Sequence, residues 1–377
     1  MRVLFVSPYF RPYLGGIERA IEELARELLT SPEIESVGVL TTKYAFPRIP
    51  MTHLPNYEVT SDGISIFRIN SIPRAAPPFY SVPLVWFSPG QLNRHLKFFD
   101  PDIIHWVGDG WFWGHILTRL ATKAKIIFTP SFHSLSLSRQ WLRPINGILC
   151  RLVDKVVTLS SIESKLIQKA YWIRDDKIAT VGWGVRLPNN FKPRISKSVV
   201  RILCVGRLGN HKGQRWLIEV YRRAKSRFKY LTNLILIGRD EGEEAIIKQD
   251  IKRLGLVDEI LITGEVTDAE LDDWYENSDL LALFSKYEAF GLVYFEAMAR
   301  GIPVLTHRVG SNDELLSKGA LVVDPYDMEA AIEQMVTLVN DSSRRELLGR
   351  SGREHVLNNY TWSSVAEKYI EIYKNTQ

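Results

Sequence analysis

Glu288-Ala289-Phe290-Gly291-Leu292-Val293-Tyr294-Phe295-Glu296-Ala297-Met298-Ala299 carries two acids with seven residues between them. The apolar run 280–284 reads as a buried strand, residues 291–300 as a helix and 303–306 as the next strand. Glu288 therefore falls in the loop after a strand, and Glu296 on the second turn of a helix. A strand, a helix and a further strand in this order form the crossover unit of a parallel sheet. Such sheets bind ligands beyond the carboxyl ends of their strands, which is where both acids stand. Ionised carboxylates accept hydrogen bonds from the hydroxyls of a polyol. The N–H groups around Phe290, Gly291 and Leu292 suit a phosphate. Taken alone, two acids near a helix start are equally well explained as partners of the helix dipole.

The same alternation surrounds this segment on both sides. Strands are expected at 200–205, 233–238 and 259–263, with helices at 214–225, 243–254 and 268–276. Residues 182–197 hold Gly, Pro, Asn and Lys without periodicity and read as a linker. Before the linker, strands are expected at 3–6, 37–40, 103–106, 125–129 and 155–159. A helix is expected at 16–29, and another runs through residue 170 from a cap at Ser160 or Ser161. The chain is thus α/β in two halves of similar plan, a domain over 1–182 and a second over 183–360, and 377 residues suffice for both. Two such sheets facing one another share one cleft. In the last segment Trp362, Val365, Ala366, Tyr369, Ile370 and Tyr373 share one face. That pattern makes 361–377 a helix crossing back to the first domain.

Composition narrows the function. Charged residues are 24% and hydrophobic ones 45%, which excludes disorder. The net charge of +5 divides into +6 up to residue 182 and −1 beyond. A small excess of this kind suits a solvated surface, phosphates or an anionic membrane. There is no basic stripe interleaved with stacking aromatics and no nucleic-acid-binding motif, so nucleic acid is excluded as a partner. Cys150 and Cys204 lie far apart in apolar runs, which reads as buried free thiols in a reducing compartment. The apolar run at the N-terminus is too short for a signal peptide and ends at Pro8. No stretch approaches the roughly 20 apolar residues of a membrane span. The expected location is cytoplasmic, with a peripheral position at the inner face of the membrane as a further expectation. Residues 74–115 hold the aromatics Trp86, Phe87, Trp106, Trp111, Phe112 and Trp113. They read either as loop aromatics that pack or as the lining of an acceptor groove or a lipid-facing surface.

Three further constellations carry chemistry. Gly15-Gly16 opens the helix at 16–29, where backbone N–H groups approach an anion, although the later glycines of a dinucleotide fingerprint are missing. Arg207 and Lys212, in Gly206-Arg207-Leu208 and Lys212-Gly213, emerge together beyond the strand at 200–205. Two fixed cations suit a diphosphate whose charge grows as a group departs from it. His133 lies just past the strand at 125–129, where it could hydrogen-bond a sugar or assist proton transfer, although a lone histidine is more often structural. No Asp-x-Asp dyad stands at a strand end to chelate a metal; Asp272-Asp273 is adjacent and mid-helix.

In combination these motifs resemble the retaining glycosyltransferases of the GT-B fold, family 4 (glycosyl transferases group 1), over essentially the whole chain. The resemblance rests on Gly15-Gly16, Gly206-Arg207-Leu208 with Lys212-Gly213, the pair Glu288 and Glu296, and Gly301-Ile302-Pro303-Val304. It implies two Rossmann-like domains facing across a cleft. It implies that Gly16, Arg207 and Lys212 hold a donor diphosphate. Glu288 would bind hydroxyls of the donor sugar, with the backbone of Phe290, Gly291 and Leu292 assisting. Glu296 would bind the ribose, His133 would lie near the sugar's primary hydroxyl, and Val266 beside the nucleobase. The implied reaction moves a mannose- or glucose-type hexosyl group to a glycan or lipid-linked acceptor, with retention. Attack comes from the front face, and the leaving phosphate helps deprotonate the acceptor. No cofactor or metal is expected; the donor is of the GDP-mannose or UDP-glucose type. Two departures touch the fine donor geometry: Phe284 stands where Pro is usual before Ser285, and Ser311 follows Gly310 where a second Gly is frequent. The rival readings are a nucleotide-sugar epimerase or phosphorylase on the same architecture, and a non-catalytic binder of sugar nucleotides.

Overall fold

A computed structural model describes residues 1–12, 15–45, 49–74, 84–108, 112–130, 143–188, 191 and 198–376. They divide into two compact units, Met1–Gly184 with Trp362–Gln377, and Val185–Thr361.

The first unit is built on an eight-stranded sheet. Its order is Ile178–Thr180, Lys155–Thr158, Lys125–Thr129, Ile103–Val107, Arg2–Val6, Ser36–Thr42, Ser65–Ile69, Tyr57–Val59. Neighbouring strands run parallel except the last pair. Residues of the central strands, such as Val3–Val6 and Ile103 to Val107, are almost wholly shielded from solvent. They are continuous apolar runs because parallel strands are covered on both faces. The helix Gly16–Leu29 buries Ala20, Ile21, Leu24, Ala25 and Leu28, as its spacing predicts. Ser160 caps the helix Ser161–Tyr171 by accepting from the N–H of Glu163 at 3.0 Å.

The C-terminal helix Trp362–Thr376 belongs to this unit and packs beside Gly16–Leu29. It buries Trp362, Val365, Ala366, Tyr369, Ile370 and Tyr373, the face read from the sequence. A Cβ on Gly184 would meet the Trp362 ring at 2.5 Å, so only glycine admits the indole there. The Tyr373 hydroxyl lies 2.9 Å from His105 Nδ1, and Thr129 Oγ1 lies 2.8 Å from His105 Nε2. Burial holds this imidazole at a pKa of about 3, hence neutral. It is a satisfied core histidine.

The second unit holds a six-stranded parallel sheet in the order Ile260–Gly264, Leu231–Ile237, Val199–Val205, Leu280–Leu283, Val304–His307, Ala320–Val323. The chain order reverses between Val199–Val205 and Leu280–Leu283. Connections from these two neighbours leave to opposite faces, which opens a crevice beyond their carboxyl ends. Arg207 and Glu288 lie in the segments that follow those ends.

Two sequence expectations need resolution or limitation. Trp106, read as the end of the strand at 103–106 and among aromatics that either pack or line a groove, packs: it is fully buried and stacks on His115 with ring centroids 4.3 Å apart. It is core because it ends a central strand. His133 and Trp111 lie outside the described residues, as do the side chains of Trp86, Phe87, Phe112 and Trp113. Both cysteines are buried and neither is in a disulfide; burial raises the Cys204 thiol to about 12, far from thiolate reactivity. Among the described residues no helix is long and apolar enough to cross a membrane.

Candidate functional site

The strand Val199–Val205 ends at Gly206, whose N–H donates to the carbonyl of Ile237 at 2.9 Å. The chain then turns through Arg207 and Leu208 into a short 3-10 turn, Asn210–Lys212. Gly213 follows with φ of +72°, and a Cβ there would lie 2.1 Å from the Phe284 carbonyl oxygen. Glycine is needed on both counts. The side chain of Gln214 closes the turn by donating to the carbonyls of Gly206 at 3.3 Å and Arg207 at 2.9 Å. Lys212 is thereby held beside the neighbouring strand end.

On that side Leu280–Leu283 runs into Phe284, Ser285, Lys286 and Glu288. The Lys286 N–H donates to the carbonyl of His211 at 2.8 Å, tying the two loops together. Lys212 Nζ donates to Glu288 Oε1 at 2.5 Å, and Ser285 Oγ donates to the same oxygen at 2.8 Å. A Cβ on Gly310 would lie 2.3 Å from the Glu288 carbonyl oxygen, so the backbone at residue 310 supports the acid directly. Arg207 pairs with Glu241, which follows the strand Leu231–Ile237. His211 Nδ1 is 3.8 Å from the other oxygen of Glu241. Burial, then the charges of Lys212 and Arg207, lower the pKa of His211 to about 4, so its ring is neutral at pH 7. The cations of this corner are Arg207, Lys212 and Lys286, and the last is tethered by Asn210 at 2.6 Å.

Gly291, at φ of +79°, is the N-cap of the helix Leu292–Ala299. The helix begins one residue later than the sequence reading, because a left-handed residue turns the loop into it. Tyr294 N–H already donates to the Gly291 carbonyl at 2.9 Å. The first N–H groups of the helix, at Leu292 and Val293, have no carbonyl within the helix to receive them. They and the helix dipole favour an anion at this end. Phe290 is buried and stacks on Phe295 at 4.3 Å, which fixes the entry of the loop. Glu296 lies on the second turn, half-buried, and Tyr275 Oη donates to its Oε2 at 2.8 Å.

The structure therefore brings Arg207, Lys212, Glu288, Gly291, Leu292 and Glu296 to one corner of the second unit. Val266 is half-buried in the loop after Ile260–Gly264, at the outer edge of the same sheet. Gly15 and Gly16 belong to the first unit. Gly15 is the N-cap of Gly16–Leu29, and its N–H donates to Glu18 Oε2 at 3.0 Å. Among the described residues, apart from its chain neighbours and its own helix backbone, no atom lies within 4 Å of the place where a Gly16 Cβ would stand. Sequence reasoning missed Glu241, Ser285 and Tyr275. Only Ser285, three residues before Glu288, carries a local signal.

A doubly wound sheet whose switch point gathers cations, carboxylates and a helix N-terminus defines a nucleotide-binding α/β protein. Residues 14–187 match the family model described as Glycosyltransferase Family 4, and residues 186–355 match the model Glycosyl transferases group 1. Together they run through nearly the whole chain, and the chain belongs to this family of glycosyltransferases. It is 28% identical over 247 residues to the mannosylfructose-phosphate synthase of Agrobacterium fabrum. That match covers 60% of this chain and about half, 54%, of that protein's length. It is 25% identical to the GDP-mannose:cellobiosyl-diphosphopolyprenol alpha-mannosyltransferase of Komagataeibacter xylinus, over 99% of this chain and 93% of that one. Among solved structures, the sucrose-phosphate synthase of Thermosynechococcus elongatus superposes with a TM-score of 0.80 at 19% identity. That superposition covers 99% of this chain and 98% of that chain, and it shares the two-domain GT-B fold.

Proposed function

We propose that this glycosyltransferase moves a hexosyl group, of the mannose or glucose type, from a nucleoside-diphosphate sugar to a glycan or lipid-linked acceptor, with retention and without a metal. The observation that carries this reading is the convergence of Arg207, Lys212 and the N-terminus of Leu292–Ala299 beside Glu288. These supply fixed positive charge for a diphosphate and one acid for sugar hydroxyls. In the reaction the bond between the sugar's anomeric carbon and the β-phosphate oxygen breaks. A new bond forms on the same face to the acceptor oxygen. The acceptor's proton passes to the departing phosphate oxygen, and the products are a glycoside and a nucleoside diphosphate.

Each residue then has a role. Arg207 and Lys212 neutralise the negative charge that grows on the diphosphate in the transition state. Lys212 rests on Glu288, and Arg207 on Glu241. A diphosphate therefore competes for cations that are already held in place, which limits the reorganisation needed on binding. Glu288 accepts from hydroxyls of the sugar and Glu296 from the ribose; neither acts as a nucleophile. The name of the Komagataeibacter xylinus relative supports GDP-mannose as one candidate donor and a diphosphopolyprenol-linked glycan as one candidate acceptor. The positive balance of the first 182 residues supports an acceptor presented at an anionic surface.

Thermal unfolding against a panel of nucleoside-diphosphate sugars tests the donor assignment. A bound donor at 100 times its Kd adds about 2.7 kcal/mol to stability by mass action. GDP-mannose or UDP-glucose should raise the melting temperature, and the corresponding nucleosides should not. A panel in which no nucleotide sugar shifts the transition refutes the donor site.

A further inference from the structure

Glu296 is braced by a small buried network on two helices. Tyr275, on Asp268–Glu276, is 1% exposed, and its hydroxyl donates to Glu296 Oε2 at 2.8 Å. The guanidinium of Arg300 lies over the Tyr275 ring, 4.9 Å from its centroid. Its Nη1 donates to the Glu296 carbonyl at 3.0 Å, and its Nη2 pairs with Asp272 of the Tyr275 helix. Burial, then the neighbouring Glu296 charge, push the Tyr275 phenol well above its ordinary range, so it stays protonated and donates. A carboxylate has about four lone-pair positions. Tyr275 takes one on Oε2. Among the described residues no hydrogen bond to Oε1 is recorded, and Glu296 is only half-buried.

We infer that Tyr275 is a positioning residue for ribose recognition: it fixes the Glu296 carboxylate by Oε2 so that Oε1 faces the ribose hydroxyls. The inference rests on the reading of Glu296 as the ribose ligand. A glutamate on a surface turn samples several rotamers, and a vicinal diol needs an acceptor in one place. The phenol removes that freedom before the ligand arrives, and Arg300 holds the phenol's ring and the backbone of Glu296 at once.

The test is calorimetric titration of the full chain and of Tyr275→Phe with GDP and UDP, and with their 2′,3′-dideoxy forms. The wild type should bind the ribose form of one base at least about tenfold more tightly than its dideoxy form, as expected for hydrogen bonds to a charged group. Tyr275→Phe should lose most of that ratio. Its affinity for the ribose form falls by about tenfold, on the scale of one lost charged hydrogen bond, while that for the dideoxy form changes by less than about twofold. The variant keeps the ring beneath Arg300, and its retained dideoxy binding is the control for folding. A wild-type ratio preserved in Tyr275→Phe, or an equal fall for both forms, overturns the inference. A wild type that binds ribose and dideoxy forms equally, or binds neither nucleotide, overturns the Glu296 reading itself.

Discussion

Gly213 links the two loops that make the proposed diphosphate corner. Its φ of +72° is a conformation that costs a side-chain-bearing residue about 1–2 kcal/mol. The space is also missing, since an added Cβ would stand 2.1 Å from the Phe284 carbonyl oxygen. That carbonyl belongs to the loop that carries Ser285 and Glu288. Gly213→Ala must therefore separate Lys212 from Glu288 or strain both loops. The expected cost is about 2 kcal/mol or more, a fall of roughly 4–8 °C in the melting temperature for a domain of this size. Nucleoside-diphosphate affinity should weaken with it. An unchanged melting temperature would show that the turn tolerates a side chain and that Gly213 does not fix Lys212. His211, between Arg207 and Lys212 in sequence, is neutral at pH 7 for a related reason: its surroundings are buried and already positive.

At the scale of elements, what could be read from the sequence follows from what each element buries. The strands of the second unit up to Val304–His307 are dominated by apolar residues, and all were legible to within about two residues at their ends. So was the helix Asp268–Glu276, which Thr267 caps with Glu270 reaching back to it. The strand Ser65–Ile69, only five residues long with Ser65 and Arg68 among them, was not. Arg68 is buried, pairs with Glu58 and donates to the carbonyls of Pro55 at 3.3 Å and Arg11 at 3.1 Å. Tertiary contacts, not pattern, make its charge tolerable. The helix Ser342–Asn359 has no apolar face to read either. It packs through Gly349 and Gly352: a Cβ on the first would lie 2.0 Å from the Gly301 carbonyl oxygen, and one on the second 2.9 Å from the Gly319 Cα. Close backbone approach leaves no hydrophobic periodicity. The same division holds in the site. Arg207, Lys212, Glu288 and Glu296 were legible because they stand at strand ends and a helix start. Glu241 and Tyr275 were not, because they reach the site from other elements at sequence distances no spacing rule covers.

For the whole molecule, histidine burial sets how stability depends on pH. His105 is held at about 3, and His211 and His307 at about 4, each chiefly by burial. Unfolded, all three would titrate near 6.5. Below that value the unfolded chain binds protons that the native chain refuses. Stability is therefore full above about pH 6.5 and falls as pH drops toward 4, by up to about 1.4 kcal/mol per pH unit for each histidine. Thermal unfolding should begin markedly lower at pH 5.0 than at pH 7.5, and His307→Asn should reduce the difference. Equal unfolding temperatures at the two values would contradict the buried neutral imidazoles. In the proposed reaction, activity depends on a different property of the molecule, the grip of Arg207 and Lys212, beside Glu288, on a nucleoside-diphosphate sugar. The direct measurement is release of nucleoside diphosphate from GDP-mannose and from UDP-glucose, with a mixture of glycan and lipid-linked acceptors, by the wild type and by Arg207→Ala. The wild type should turn over one of the two donors, and Arg207→Ala should be slower by about 10²–10³, the range for losing one charge-stabilising donor. No release by the folded wild type, or near-wild-type turnover by Arg207→Ala, would contradict the account.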